Sequence, residues 1–154
     1  KRRDFPGAIR DVKRVVLDTN IVISAFLWGG TPGRVITAAV ENGITLLRTE
    51  AIVREIEQTL NKPKFDSQFQ IMGKTRAQLV QQYMQLTSEV IPSPVPTGII
   101  RDEKDEVILA AAVGGKADVI VTGDKDLTDI NTFQQVRILT PAQFLAALEP
   151  PPAE

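Results

Sequence analysis

The stretch Val15-Val-Leu-Asp18-Thr-Asn20 runs an apolar segment straight into a carboxylate and a turn-forming Thr-Asn pair, and Val119-Ile-Val-Thr122-Gly-Asp124 repeats the arrangement far down the chain. In open α/β sheets, sites form outside the carboxyl ends of the strands, so two buried strands deliver Asp18 and Asp124 to one edge. Gly123 is expected to let the backbone turn sharply between strand and acid. Arg101-Asp-Glu-Lys-Asp-Glu106 supplies a third carboxylate. With Asp102 as helix N-cap, Asp105 falls at the third helical position, where it can satisfy free amides and face the positive end of the helix dipole. If that helix starts beside the two strand ends, Asp105 also points into their cluster. Carboxylates so close raise one another's pKa and cannot all ionise without compensation. A hard divalent cation removes the conflict, since Mg²⁺ takes one or two carboxylates together with waters and substrate phosphates.

Composition narrows the chemistry. The 154 residues contain neither cysteine nor histidine, which removes disulfides, thiolate nucleophiles, the usual general base and the commonest transition-metal ligands. Catalysis then rests on carboxylates, hydroxyls, lysines or a metal held by oxygens. A net charge of −1 gives no overall basic field, but the average conceals a division. From Asn61 to Arg76, Lys62, Lys64, Lys74 and Arg76 stand against Asp66 alone, whereas from Ile99 to Ile130 eight acids face four basic residues. One reading is ordinary solvated faces; the other is a cation-binding centre with a separate positive surface for an anionic substrate. No apolar run reaches the roughly 18 residues of a membrane span, and the basic start Lys1-Arg2-Arg3 is not followed by a signal-peptide core, so the expected location is cytoplasmic.

The elements that must position these acids are short. Val15–Leu17, Thr45–Leu47, Val119–Val121 and Arg137–Leu139 read as strands, with a further short one at Val90-Ile91, and their lack of polar alternation predicts burial on both faces of a parallel sheet. Helices are predicted from a Thr31-Pro32 cap to Asn42-Gly43, over Glu50 to Leu60, and from Asp102 to Gly114-Gly115. Thr75-Arg-Ala-Gln78 and Thr140-Pro-Ala-Gln143 fit the capping box. Pro92 to Gly98 reads as an extended connection. The alternation predicts one α/β domain with a mostly parallel sheet and helices on both faces. In the helix over 50–60, Glu55 and Glu57 both flank the apolar side, and periodicity does not choose between them.

The assembled segments, Val15 to Phe26, Glu55-Ile56, Arg101 to Ala112 and Val119 to Leu127, resemble those of the PIN-domain ribonucleases, and more narrowly the PIN-family toxins of bacterial toxin–antitoxin pairs, the group that includes VapC-type toxins. The likeness runs from about Val15 to Leu148. It implies a three-layer α/β/α PIN-like nuclease domain over 15–149, preceded by an N-terminal extension over 1–14; the Pro-rich tail over 150–154 is expected from its own residues to be disordered. The likeness also implies an acid cluster that binds Mg²⁺ or Mn²⁺ and hydrolyses single-stranded RNA. Carried over by position, the acids are Asp18, Glu55, Asp105 and Asp124, all catalytic and metal-binding, with Asp126 as a further metal candidate; the resemblance, not the helical wheel, prefers Glu55. Asn20 and Thr122 match small polar positions that orient ligands or waters, and core hydrogen bonding explains them equally well. Lys62, Lys64, Lys74 and Arg76 are candidate RNA-backbone contacts. Trp28 is a candidate for base stacking or for a core or interface role. An antitoxin partner and a homodimer are further implications.

A haloacid-dehalogenase-like phosphatase needs a second acid where Asn20 stands, and a phosphoaccepting receiver needs adjacent acids near the first strand, where there is only Asp18. A PIN-like module that binds RNA or protein without cutting is the remaining alternative.

Overall fold

The computed structural model describes residues 12–96, 98, 100 and 102–148. The 150–154 tail, and the N-terminal extension apart from residues 12–14, lie outside them. In chain order the elements are β1 (Arg14–Leu17), α1 (Thr19–Trp28), α2 (Gly30–Glu41), β2 (Thr45–Arg48), α3 (Glu50–Leu60), a 3₁₀ turn (Pro63–Phe65), α4 (Asp66–Met72), α5 (Arg76–Leu86), β3 (Thr87–Glu89), α6 (Glu103–Gly114), β4 (Val119–Val121), α7 (Lys125–Thr128), β5 (Thr132–Phe133), β6 (Val136–Leu139) and α8 (Pro141–Leu148).

One sheet holds the strands in the order β3-β2-β1-β4-β6-β5. Every neighbouring pair is parallel except β5 and β6. Consecutive strand residues point to opposite faces, so Val15, Val16 and Leu17, and Val119, Ile120 and Val121, all buried, require cover on both sides. That makes three layers, as expected. Each such aliphatic side chain contributes about 1.5–3 kcal/mol by leaving water.

The chain steps outward from β1 through β2 to β3; α6 then packs across β1, β2 and β4 and returns it to the other side of β1. The order therefore reverses between β1 and β4, and at such a switch point the connections diverge and leave a crevice beyond the strand ends. Register sharpens this: Leu17 pairs with Val121, so Asp18 and Thr122 leave the sheet level with each other.

Both expected capping boxes form, with Thr75 and Gln78, and Thr140 and Gln143, exchanging side-chain and backbone hydrogen bonds of 2.9–3.1 Å. Other expectations need correction. The helix placed after Thr31-Pro32 starts at Gly30, because Gly29 and Gly30 take φ of 74° and 58° and turn α2 by 102° from α1. The short strand is Thr87–Glu89 rather than Val90-Ile91; Ile91 is exposed, although the Val90 N–H still donates to Arg48 O at 2.8 Å. The 3₁₀ turn, α4, α7 and β5 are additional. Among the described residues no single helix is long and apolar enough to cross a membrane.

Gly114 and Gly115 do more than end α6. A Cβ on Gly114 would lie 2.0 Å from Ile91 O and 2.7 Å from Pro92 C and Ser93 N, so only glycine lets that segment cross the helix. Gly114→Ala is expected to cost about 3 kcal/mol through the backbone shift it forces. Thermal melting reads this as a fall of roughly 6–12 °C, and an unchanged melting temperature would rule out the close-approach account.

Candidate metal centre

Asp18 continues the parallel ladder by one step, its N–H donating to Val121 O at 2.9 Å, and its own carbonyl accepts from Ile21 and Val22 to open α1. It occupies the N-cap of α1, yet its carboxylate makes no capping bond. An N-cap aspartate ordinarily spends its side chain on those free amides. Here Oδ2 instead accepts from the Thr122 hydroxyl at 2.6 Å, and the same Thr122 oxygen accepts the Asp124 N–H at 2.9 Å. One buried hydroxyl thus ties the ends of β1 and β4 together. Burial pushes the Asp18 carboxyl above its ordinary range; the Thr122 bond opposes this, and the charges of Glu55 and Asp124 add to it.

Asp102 caps α6, its Oδ1 accepting the Lys104 N–H at 2.9 Å, which places Asp105 at the expected third helical position. Asp105 is only 4% exposed, and its buried Oδ2 has no hydrogen-bond partner among the described residues. Asp124 caps α7, with Oδ1 accepting the Asp126 N–H at 2.9 Å. Asp105, Asp124 and Asp126 each offer a carboxylate oxygen within 4.8 Å of the others. The Asp105 carboxyl is pushed up to about 7, first by burial, then by the hydrogen-bonding proximity and charge of Asp124, and then by Asp18 and Asp102. A residue with a buried, partnerless oxygen, standing beside two more carboxylates, suits a hard divalent cation, and an all-oxygen donor set favours Mg²⁺ or Mn²⁺.

Glu55 and Glu57, equivalent on the helical wheel, are separated by packing: Glu55 is half-buried and Glu57 exposed. The Glu55 Oε1 accepts from the Thr19 hydroxyl. Thr19 is the residue that sequence reasoning passed over; its only signal was its place beside Asp18.

A PIN domain family model matches residues 14–126, from the first residue of β1 through Asp126, a span that contains all five acids. The chain belongs to the PIN domain family. Its fold is similar to that of a chain in the crystal structure of VapBC2 from Rickettsia felis bound to a DNA fragment from their promoter, with a TM-score of 0.59 and 14% identity over 83% of this chain and 98% of that one. No curated protein sequence matches.

The remaining candidates of this PIN domain lie around the core of the site or away from it. Asn20 is exposed in the first turn of α1. Gly123 has no left-handed φ and open space where a Cβ would stand, so the turn before Asp124 does not demand glycine. Lys62, Lys64 and Lys74 are exposed near α4, beyond the C-terminal end of α3, with the Lys64 ammonium 5.2 Å from the Phe65 ring centre. Arg76 is engaged in packing: it donates to Leu60 O, pairs with Asp66 at 2.6 Å and lies 4.5 Å from the Phe69 ring centre. Trp28 is 58% exposed and rests against Phe65 with ring centres 5.8 Å apart, which excludes the core role. A groove lined by Val53, Leu60, Val80 and Met84 opens between α3 and α5, and none of the five acids lines it.

Proposed function

We propose that this PIN domain is a metal-dependent endoribonuclease that hydrolyses phosphodiester bonds of single-stranded RNA, acting in the cytoplasm as the toxin of a toxin–antitoxin pair. The observation that carries the reading is the cluster of Asp105, Asp124 and Asp126 at the switch point of the sheet, in which Asp105 is buried with one oxygen lacking a partner among the described residues. An oxygen left unsatisfied in the interior costs about 1–3 kcal/mol or more when charged, which a protein with no use for it would lose little by replacing. Likeness of fold to a chain of VapBC2, together with the motif resemblance to VapC-type toxins, supports an antitoxin partner as part of the proposal, and a homodimer rests on the motif resemblance alone.

Asp105, Asp124 and Asp126 would hold the cation, with Asp18 alongside and Glu55 either holding a second ion or orienting the attacking water. A divalent cation bound there supplies a lowered pKa for water and positive charge against the phosphate and the leaving oxygen. Thr122 fixes Asp18 and Asp124 relative to one another, so the donor set is arranged before substrate arrives. Lys62, Lys64 and Lys74, all exposed, would meet RNA phosphates, while Arg76 holds α5 to the end of α3 and to α4. Binding through those lysines makes the reaction salt-sensitive.

The test is cleavage of a labelled single-stranded RNA with Mn²⁺ or Mg²⁺, run beside EDTA and an identically purified Asp18→Asn variant. Cleavage is expected with metal and is lost in both controls. Equal behaviour of wild type and variant would defeat the assignment, and RNA binding without turnover would make the chain a binding module.

A further inference from the structure

Thr19 is only 3% exposed, and a buried hydroxyl needs a partner. Within a helix a threonine usually returns its hydroxyl to a carbonyl three or four residues back. As the first residue of α1, Thr19 has no preceding turn, and its hydroxyl reaches instead to Glu55 on α3. Glu55 is the acid that needs such help. It does not belong to the group formed by Asp105, Asp124 and Asp126, and it sits at the rim of the buried stripe of Ile52 and Ile56. A long side chain at a rim swings into water unless something retains it, as the exposed Glu57 on the same helix does. A hydroxyl donating to a carboxylate makes a strong, charge-assisted bond, and it engages one oxygen while leaving the other free. The arrangement matches that of Thr122 and Asp18: the two candidate acids outside the three-carboxylate group are each held by a threonine from a distant segment.

We propose that Thr19 is a positioning residue of the acidic site, its hydroxyl holding the Glu55 carboxylate beside the start of α1 so that Glu55 takes part in divalent-cation binding. The inference rests on the metal-centre reading above and is independent of the substrate.

Mn²⁺ binding to the full chain, measured by calorimetry in the absence of RNA, tests it with Thr19→Val, Thr19→Ala, Thr19→Ser, Glu55→Gln and the Thr19→Val/Glu55→Gln pair. Melting curves check that each is folded, and Thr19→Ala serves in the cycle if Thr19→Val is not. Residues that orient a metal ligand change affinity by about 10–100-fold, so Thr19→Val and Glu55→Gln should each weaken Mn²⁺ binding by about 10-fold or more. The pair should be no weaker than Glu55→Gln alone, and Thr19→Ser should stay within about 3-fold of wild type. Additive losses, wild-type affinity in Thr19→Val or in Glu55→Gln, or failure of serine to restore binding would each overturn the inference. A wild type that binds no Mn²⁺ ends both this inference and the metal-centre reading. One that binds Mn²⁺ but cuts no RNA defeats only the nuclease proposal, and Thr19 is then judged on Mn²⁺ alone.

Discussion

Asp105→Asn is expected to lower RNA cleavage at least about 1,000-fold while making the metal-free protein harder to melt. Loss of activity follows from the proposed donor set: metal charge supplies several kcal/mol of transition-state stabilisation, and each 1.36 kcal/mol is about tenfold in rate. The gain in stability follows from the geometry without metal. Asp105 is buried, its Oδ2 has no donor, and Asp124 lies within hydrogen-bonding reach. At pH 8, where Asp105 has lost its proton, an asparagine there keeps the shape, removes a buried charge and offers an N–H₂ to the Asp124 carboxylate. Relief of an unsatisfied buried group is worth about 1–3 kcal/mol, which in a domain of this size raises the melting temperature by roughly 2–12 °C. The two readouts move in opposite directions, so misfolding cannot imitate the result. A residue kept for packing would lose stability on substitution, and a variant that melts lower in EDTA would sink the account of Asp105 as a group held against its own electrostatics.

Much of this arrangement could be read before the fold was known, for a physical reason. β1, β2, β4 and β6 are buried runs of Val, Ile and Leu, and in a parallel sheet that continuity is the signal. Asp18 and Asp124 were legible because an acid at or just past the end of such a run has few structural uses. Asp105 followed from its spacing to the Asp102 cap. The edges of the sheet were less legible. β3 is Thr-Ser-Glu, polar because little covers it, and its strand character comes from pairing with β2 rather than from its own residues. β5 turns into β6 through Gln134 and Gln135 at φ of 47° and 72°, a tight turn usually announced by Asn-Gly and here carried by two glutamines.

Contacts between distant segments were the least visible part. Nothing in the local pattern joins Thr19 to Glu55, because the hydroxyl and the carboxylate meet only once α1 and α3 pack side by side. The choice of Glu55 over Glu57 came from family likeness, and the structure supplies a physical ground for it in burial. Arg76 differs from the lysines near it. As one of four cations in a short stretch it looked available to a polyanion, whereas Leu60 O, Asp66 and the Phe69 ring engage its guanidinium. Charge counts register how many cations a segment carries, not how many remain unengaged after folding.

In EDTA the protein is expected to become less stable as pH rises from 5 to 8, the reverse of the usual trend on leaving acid. The Asp105 carboxyl ordinarily titrates at 3.8 and in the folded chain at about 7. Between those values the folded protein keeps a proton that the unfolded chain has released, so the unfolded state binds fewer protons and stability falls with rising pH. Below 3.8 both states are protonated and above about 7 both have lost the proton, so the slope is confined to that window. Asp18, raised by burial, acts in the same direction. Excess Mg²⁺ or Mn²⁺ should abolish or invert the slope, because the ionised carboxylates then gain a counter-charge and binding itself releases protons. Melting temperatures at several pH values, with and without metal, read this directly. A fall of about 5 °C between pH 5 and 8 in EDTA is the expected size, and it should largely disappear in Asp105→Asn. An identical pH profile in that variant would locate the titration elsewhere. A wild type whose stability is as pH-sensitive with Mn²⁺ as without it would show that the cluster does not receive the cation, whatever the sequence family.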